Sequence, residues 1–478
     1  MGATDPLYQA LYRELREAIL TGVLAPGARL QSSRSLAAAR GIARNTVLTA
    51  YEQLQADGLI ICRTGSGTYV SEDLAYQRVR NTPAAAAPRL SAAARRLPTD
   101  RPYRLGLDRR PEPGIVCDFS YGDPSRRLFP SRAWLNSLRA AIEDPRFFGY
   151  GSPAPEGFPP LRQAVAHYLN LSRRLLCTPE QVIIVSGSQQ ALFLVARLLV
   201  DPGDTIAVEE CCFHGATLAF ESVGAKFALL PIDADGLDPE ALEWLPDGAR
   251  LIYTTPANQF PTGARLSLER RLRLLDWANR HDAYVFEDDY DGEFRYRGRT
   301  LTPLQALDRN GRTIYCGTLS KILHGGIRLG YLVLPPALVP VFSRLKYLLD
   351  CHTDLLEQIA LTHFIESGAF LRHLSRLRKV LAVRRQALLD GLTDHFGDRA
   401  IFRDNGAGQH VLVQFAGHDK ARDDALIAAA AANGVRLYSA ARYYLRAPSR
   451  SGLLFGYTHA DVGEIERGLA RLARCNWY

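Results

Sequence analysis

The stretch Gly317-Thr-Leu-Ser-Lys321, followed by Ile327-Arg-Leu-Gly330, presents one lysine on a loop of small residues and an arginine seven residues later. A lysine in a partly dry pocket can lose its charge and condense with an aldehyde. The hydroxyls of Thr318 and Ser320 can bind a phosphate, and Arg328 can add a charge-assisted contact. The stretch therefore predicts a Schiff base to pyridoxal phosphate (PLP), an aldehyde that carries a phosphate. Taken alone, the pattern is also typical of a solvated loop.

The composition is that of a globular chain long enough for about three domains. Of the 478 residues, 47% are hydrophobic and 23% are charged, which is ordinary for such a protein. The net charge of +8 permits a nucleic-acid partner without requiring one. The eight cysteines include no C-x-x-C pair, which favours a reduced, cytoplasmic chain without a zinc site. No apolar segment reaches the ~20 residues that span a bilayer, so no membrane partner is expected.

The first 70 residues follow the pattern of a small DNA-binding domain. Apolar residues recur every four positions from Leu7 to Ile19, which predicts an amphipathic helix. Ser33 is predicted to cap a short second helix, and a third helix is expected from about residue 44 to residue 57. Two short apolar runs around Thr64-Gly-Ser-Gly67 predict a β-hairpin. This order predicts a winged helix-turn-helix, with a small helical packing module as the alternative.

In a winged helix-turn-helix, the first turn of the third helix faces base edges in the major groove. That turn holds Arg44, Asn45 and Thr46. Arginine suits a guanine and asparagine an adenine. Arg34 and Gly67 are candidate phosphate contacts, the first through its charge and the second through its backbone amide.

Residues 71–113 are rich in alanine, proline and arginine. This composition predicts a flexible, basic linker that either touches the DNA backbone or is passive. We therefore divide the chain into a DNA-binding domain at 1–70, a linker at 71–113 and an effector domain at 114–478.

From Phe119 onwards, apolar strands alternate with amphipathic helices. This alternation predicts an α/β domain with a mainly parallel sheet covered on both faces. Ligands of such sheets bind beyond the carboxyl ends of the strands. The predicted strands are residues 182–186, 206–209, 251–254, 284–287 and 313–316.

Two features that follow predicted strands suit a phosphorylated ring. Gly187, Ser188 and Gln189 open a helix, so their amides can form a nest for a phosphate. Phe213 follows the strand at 206–209 and can stack on a planar ring. The alternatives are a turn that binds nothing and a phenylalanine that only packs in the core.

The run Glu287-Asp-Asp-Tyr-Asp291 places four acids and a phenol at a strand end. Asp288 can pair with a protonated pyridine nitrogen, and Tyr290 can hydrogen-bond the phenolic oxygen of the cofactor. A magnesium or calcium site is the alternative, because carboxylates suit those ions.

Several N-terminal segments together closely resemble the GntR family of bacterial regulators. They are Gln31-Ser-Ser-Arg-Ser-Leu-Ala37, Arg44-Asn-Thr-Val47, Tyr51-Glu-Gln-Leu54, Gly58-Leu59 and Gly67-Thr-Tyr-Val70. Gln31 stands where a proline is usual in that family. Ala43 stands where the family usually has a serine that caps the recognition helix.

The order of phosphate nest, stacking ring, acid with phenol, lysine and arginine resembles the fold-type I PLP enzymes of the aspartate aminotransferase group. With the GntR segments, the whole chain resembles the MocR subfamily, in which a GntR reader is fused to an aminotransferase-like domain. The segments that carry this likeness are Ser186-Gly-Ser-Gln-Gln-Ala-Leu192, Thr255-Pro-Ala-Asn-Gln-Phe-Pro-Thr-Gly263, Arg270-Arg-Leu272, Glu287-Asp-Asp-Tyr-Asp291 and Gly317-Thr-Leu-Ser-Lys321.

The resemblance implies a role for each site residue. Lys321 is the PLP-linked lysine, Asp288 the partner of the pyridinium, Tyr290 the partner of the ring oxygen and Phe213 the stacking ring. Tyr150 resembles the tyrosine that reaches the phosphate of the partner subunit, which implies a homodimer.

One expected group is missing. Fold-type I aminotransferases clamp the substrate carboxylate with an arginine near the C-terminal strand, but Ser451-Gly-Leu-Leu-Phe-Gly-Tyr457 contains none. Gly215 offers no side chain for an acidic substrate, and Arg442 is the nearest substitute. Weak or absent transamination is therefore expected.

Three functions remain open from the sequence. The first is a PLP-dependent transcription regulator that senses PLP, or an amino acid or amine. The second is an active aminotransferase with an appended DNA-binding module. The third is a nucleic-acid-binding protein whose large domain only mediates dimerisation.

Overall fold

The computed structural model describes residues 6–72, 89–97, 113–122, 124, 126–149, 151, 154–245, 248–298, 301–448 and 452–475. The chain divides into two compact units, residues 1–90 and 91–478. Most of the predicted linker at 71–113 lies outside the described residues, so its boundaries stay predictions.

The N-terminal unit has the predicted order of helix, helix, helix and hairpin. Its elements are α1 (Leu7–Leu20), α2 (Ser33–Arg40), α3 (Arg44–Ala56), β1 (Ile60–Arg63) and β2 (Gly67–Val70). The strands pair antiparallel, with Ile60 opposite Val70. Leu11, Leu15 and Ile19 pack into the core with the buried side of α3. Leu7 is exposed, so the apolar stripe of α1 begins one turn later than predicted.

The start of α2 differs from the prediction by one residue. Ser32 is the N-cap, and its hydroxyl accepts a hydrogen bond from the Ser35 N–H at 3.1 Å. Ser33, the predicted cap, is the first helical residue. At α3 the N-cap is Ala43, which makes no side-chain capping bond, because alanine has no side-chain acceptor.

The C-terminal unit alternates strands with helices. Its strands are β3 (Cys117–Asp118), β4 (Val182–Val185), β5 (Thr205–Glu209), β6 (Lys226–Leu230), β7 (Ile232–Asp233), β8 (Gly236–Leu237), β9 (Leu251–Thr254), β10 (Tyr284–Asp289), β11 (Thr313–Thr318), β12 (Gly330–Val333), β13 (Ala400–Phe402), β14 (His410–Phe415), β15 (Val435–Arg436), β16 (Tyr438–Ser439) and β17 (Leu453–Gly456). Its helices are α4 (Ala92–Arg95), α5 (Ser131–Glu143), α6 (Pro145–Gly149), α7 (Pro159–Ser172), α8 (Ser188–Leu199), α9 (His214–Ser222), α10 (Leu268–Arg280), α11 (Leu304–Leu307), α12 (Val339–Asp350), α13 (Leu355–Glu366), α14 (Ala369–Phe396), α15 (Lys420–Ala432) and α16 (Val462–Ala473).

The described residues of this unit build a sheet in the order β4-β12-β11-β10-β9-β5-β6. Its strands run parallel except β12, which is antiparallel to β4 and β11. The apolar strand β4 is buried along its whole length, as expected for a sheet covered on both faces. This confirms the predicted mainly parallel α/β fold. The carboxyl ends of β4, β5, β10 and β11 consequently lie at one edge.

A second sheet, in the order β13-β14-β17-β16, is antiparallel. It brings β14 and β17 side by side, with Leu412 opposite Leu454. A search of the described residues for a helix long and apolar enough to cross a membrane finds none.

Candidate cofactor site and DNA-binding surface

The loop between β4 and α8 has the shape of an anion site. Gly187 adopts a φ of 84° as the N-cap of α8, which receives no side-chain cap. Ser188 and Gln189 begin the helix, so their N–H groups have no partner within it and lie at its positive end. The Arg328 Nη2 atom donates to the Ser186 carbonyl at 2.6 Å. The structure thus brings the predicted loop and the predicted arginine together.

A side chain at Gly187 would displace the Arg328 guanidinium. A Cβ atom there would lie 2.9 Å from the Arg328 guanidinium. The positive φ also favours glycine. Arg328 itself has a φ of 54°, so both residues contribute to an unusual local backbone. The close approach keeps a positive charge against the first turn of α8.

The lysine loop follows β11 directly. Thr318 ends the strand, and its hydroxyl accepts a hydrogen bond from the Ser320 N–H at 3.2 Å. This bond turns the chain into the segment that carries Lys321. The Lys321 carbonyl accepts a hydrogen bond from Gln409 Nε2 at 3.1 Å. Hydrogen bonds from side chains to the backbone of Ser320 and of Lys321 therefore position the lysine.

Asp288 lies on β10, next to β11, and is 5% exposed. Its Oδ2 atom accepts a hydrogen bond from the Tyr253 hydroxyl at 2.8 Å. Burial raises the pKa of Asp288 to about 7, while the Tyr253 bond and the Lys321 charge oppose that rise. A buried carboxyl of this kind is suited to a cationic partner, which would restore its ionised form.

Tyr290 is held by a residue that the sequence reasoning missed. Its hydroxyl accepts a hydrogen bond from Asn258 Nδ2 at 3.1 Å. The same nitrogen donates to Asp291 Oδ2 at 2.7 Å. Burial raises the pKa of Tyr290 well above its usual value, so the phenol stays protonated. Asn258 lies within the segment from Thr255 to Gly263 that carries the aminotransferase resemblance, which was the available signal.

Phe213 is the N-cap of α9, whose first turn contacts the loop that is suited to the phosphate. A Cβ atom at Gly215 would lie 2.4 Å from the Phe213 ring and 2.2 Å from Gln189 Oε1. Gln189 Nε2 donates to the Gly215 carbonyl at 2.9 Å. Glycine is therefore required by close packing between the ring and the start of α8.

A buried lysine supports the phosphate loop from behind. Gln190 accepts a hydrogen bond from the Ser186 N–H at 2.8 Å and donates to Asp350 at 2.7 Å. Lys346 is 0% exposed and donates to both Asp350 oxygens at 2.9 Å and to Thr353 at 3.0 Å. Sequence reasoning missed this network, because a single lysine in an amphipathic helix gives no sign of burial.

The acidic run divides between different partners. The Glu287 carboxylate accepts hydrogen bonds from the N–H groups of Leu304 and Gln305 at 2.8 and 3.0 Å. Asp289 forms an ion pair with Arg173. Within the described part of the chain, no three His, Cys, Asp or Glu side chains are grouped so as to hold a metal ion.

The residues present fit PLP. The buried Asp288 suits its ring nitrogen, Tyr290 with Asn258 its phenolic oxygen, and the α8 amides with Arg328 its phosphate. The individual roles stay predictions. Tyr150 lies outside the described residues.

The predicted base-reading turn lies on the surface of the N-terminal unit. Arg44 and Asn45 are exposed, and Thr46 is half-buried. Arg44 Nε donates to the Ser33 hydroxyl at 3.3 Å, which joins the first turns of α2 and α3. Arg34 is exposed in the same turn of α2. Arg34, a predicted phosphate contact, and Arg44, a predicted base contact, therefore lie on adjoining helical turns.

The wing contributes one basic residue that the sequence reasoning missed. Gly67 has a φ of 123°, and a Cβ atom there would lie 3.1 Å from the Arg29 guanidinium. Arg29 pairs with Tyr69 in an isolated antiparallel bridge. Backbone hydrogen bonds from residues 27–30 to β2 hold Arg29 at the wing, and no spacing rule in the sequence predicted this pairing.

Comparison with known proteins identifies both units. Residues 115–457 match the family "Aminotransferase class I and II", and residues 7–70 match "Bacterial regulatory proteins, gntR family". The chain is 37% identical over 473 residues to the "Probable rhizopine catabolism regulatory protein MocR" of Rhizobium meliloti, covering 98% of this chain and 94% of the relative. It is 30% identical over 464 residues to the "HTH-type pyridoxine biosynthesis transcriptional regulator PdxR" of Corynebacterium glutamicum, covering 97% and 94%.

Among solved structures, LysN, the α-aminoadipate aminotransferase of Thermus thermophilus, matches with a TM-score of 0.68 and 27% identity, covering 80% of this chain and 94% of that one. That structure is complexed with N-(5'-phosphopyridoxyl)-L-leucine. The chain therefore belongs to the MocR-type transcription regulators, which join a GntR helix-turn-helix to an aminotransferase class I and II domain, and its cofactor is PLP.

Proposed function

We propose that this regulator binds operator DNA through the surface around Arg44 and changes its DNA affinity when a small molecule occupies the cofactor site. The observation that carries the proposal is the presence, on one chain, of an exposed first turn of α3 and a lysine, Lys321, close enough to the buried Asp288 for its charge to act on that carboxyl. A base-reading turn serves no purpose in transamination, and a PLP site serves none in a simple dimerisation domain.

The signal is PLP itself, or an amino acid or amine held at PLP. Control of vitamin B6 or amino-acid metabolism is the corresponding physiological role. It is supported by the relative named for pyridoxine biosynthesis. PLP in the site would pair with Asp288 and the α8 loop, and these contacts shift a conformational equilibrium to the extent that they form in one conformation and not in the other.

The regulator acts as a homodimer in the cytoplasm, where its operator is found. Two readers in one dimer would bind two half-sites about one helical turn apart. Tyr150 would then contact the phosphate in the partner subunit.

An active aminotransferase is the second candidate. The complete set of Lys321, Asp288 and Tyr290 favours it, since a regulator needs only binding. Turnover of common amino acids by the PLP-loaded protein, measured by keto-acid release, separates the two functions.

The decisive experiment titrates the apo-protein with PLP and measures affinity for the operator duplex at each step. We expect the affinity to change with PLP in the wild type and to stay constant in Lys321→Ala. Lack of DNA binding by the intact protein at low salt would overturn the regulator function. No change with PLP, together with a clear response to an amino acid or amine, would restrict the signal to that second ligand.

A further inference from the structure

A layer made mostly of aromatic rings lies beside Tyr290 and Phe213, which pack against it. We call this layer the aromatic wall; its members are the four rings of Tyr121, Phe260, Tyr438 and Tyr443 with the aliphatic Ala440 and Leu454. The Phe260 ring centroid lies 5.8 Å from that of Tyr290, edge-on. Because Tyr290 and Phe213 are the predicted neighbours of the PLP ring, a ligand joined to PLP would meet this wall.

The polar groups beside the wall are neutral side chains and one carboxylate that is already paired: the Tyr438 hydroxyl donates to Asp118 Oδ1 at 2.9 Å, and Asp118 forms an ion pair with Arg436 at 3.1 Å. His410 lies 5.3 Å from the Tyr121 ring, and burial lowers the pKa of His410 to about 4. Gln409 donates to the Lys321 carbonyl, while its buried Oε1 atom has no partner among the described residues. The hydroxyls of Tyr121 and Tyr443 bind each other. These groups favour a ligand that is neutral or that donates hydrogen bonds over a ligand that is an anion.

The C-terminal strand adds an apolar residue to the wall. Leu454 is 0% exposed on β17, between Leu412 of β14 and Tyr438 of β16. Arg442 is exposed, one residue before Tyr443. Arg436 is paired with Asp118 and Arg442 is exposed, so a carboxylate against this wall would lose its hydration without gaining a free buried cation, which is costly.

We propose that the second ligand of this site is a primary amine whose body carries no carboxylate, rather than an α-amino acid. This inference rests on the proposed function and names the ligand class for it. The amine supplies the nitrogen that replaces Lys321. It forms the new C=N bond as the bond to Lys321 Nζ breaks, two protons pass to Nζ, and no electrons are transferred.

The test uses the PLP-loaded protein and two pairs of probes that differ only by the carboxylate. They are 2-phenylethylamine with L-phenylalanine, and isobutylamine with L-valine. Binding is followed by visible absorbance, and each constant is divided by the constant for the same probe with free PLP. We expect the amine to bind at least about tenfold more tightly in both pairs. Equal or tighter binding of the amino acids would overturn the inference.

Three variants sharpen the result. Leu454→Arg should reduce or reverse the preference, while Leu454→Met should keep it. Arg442→Ala should leave the ratio unchanged; loss of amino-acid binding in that variant would make Arg442 a carboxylate contact and overturn the inference. If Leu454→Arg does not fold, the wild-type ratios still decide.

The same titrations separate this inference from the proposed function. Absence of a PLP absorbance band in the wild type would overturn both. A clear preference for amines without any change in operator affinity would support the ligand class and overturn the effector role. An absorbance band with no preference would overturn only the inference.

Discussion

Arg44 and Asn45 are exposed on the first turn of α3, whereas Asp288 is 5% exposed and Lys346 is 0% exposed around the cofactor site. Removing an exposed contact costs mainly the binding that it provides. Removing a buried polar group also leaves its partners unsatisfied. The comparison teaches that a substitution in the DNA-binding domain can change binding without changing stability, whereas a substitution in the cofactor site changes both.

Lys321→Ala should produce the largest effect. The visible absorbance of the lysine-linked cofactor should disappear completely, because no other group in the predicted site carries an amine to bind the aldehyde. Absorbance spectroscopy of the purified protein with PLP measures this. Lys226→Ala, at an exposed lysine in the same unit, is the matched control and should keep the wild-type spectrum. An unchanged spectrum in Lys321→Ala would refute the assignment of the lysine.

Arg44→Ala should weaken binding to the operator by ~1–3 kcal/mol if Arg44 pairs with a guanine. Binding to a scrambled duplex should change much less, and the thermal stability should stay close to that of the wild type. Fluorescence anisotropy with both duplexes measures the difference.

Arg34→Ala is the control for Arg44, because a phosphate contact should weaken both duplexes equally. Equal losses on the two duplexes for Arg44→Ala would make Arg44 a phosphate contact as well.

Asp288 should make the apo-protein less stable as pH rises. Burial raises the pKa of Asp288 to about 7, so between roughly pH 4 and pH 7 the folded state holds a proton that the unfolded state has lost. The free energy of unfolding should therefore fall through this window, by at most about 1.4 kcal/mol per pH unit from this group. Asp288→Asn should remove that part of the slope. Urea unfolding followed by tryptophan fluorescence measures it, since all four tryptophans lie in the C-terminal unit.

Glu287→Gln is the matched control for the pH dependence. Burial raises the pKa of Glu287 to about 7 as well, so this substitution should remove a similar slope. Bound PLP should remove the difference in pH slope between the wild type and Asp288→Asn, because the ring cation of PLP favours the ionised carboxylate. Bound PLP should leave the difference in pH slope between the wild type and Glu287→Gln unchanged. If PLP affects both variants alike, Asp288 is not the partner of the ring nitrogen.

Ala43→Ser should have the smallest effect. A serine N-cap should stabilise α3 by about 0.5–1 kcal/mol, which slows amide exchange in its first turns roughly two- to fivefold. Hydrogen-exchange mass spectrometry measures this protection. Ser32→Ala should produce the opposite change at α2, where the Ser32 cap is present. Unchanged exchange in both variants would show that caps do not limit the stability of the reader.

The sequence could predict the groups whose chemistry depends on residue type and order. Lys321, Asp288 and Phe213 each lie at or just beyond the carboxyl end of a strand, and parallel strands place such positions at one edge. The helices of the reader were predictable from apolar periodicity and from breaks at glycine. Predicting the cap at Ser33 instead of Ser32 shows the limit, because adjacent serines offer the same hydroxyl.

The features that the sequence did not predict depend on burial and on contacts between distant segments. Lys346 and Asp350 are a helical i,i+4 pair that would ordinarily be solvated. Arg29 reaches the wing, and Asn258 reaches Tyr290, only through the tertiary fold. The resemblance covered the segment that contains Asn258 without assigning that residue a task.

The chain of hydrogen bonds from Lys346 through Asp350 and Gln190 to the Ser186 N–H consists only of protein groups. The loop that precedes α8 is thus pre-organised by its own scaffold, and an arriving phosphate does not have to order it. Binding to a pre-organised loop costs little conformational entropy. The association rate of PLP would then be set by diffusion and by the charge of Arg328 rather than by a folding step. Such a loop would let the protein follow changes in cofactor concentration without a lag.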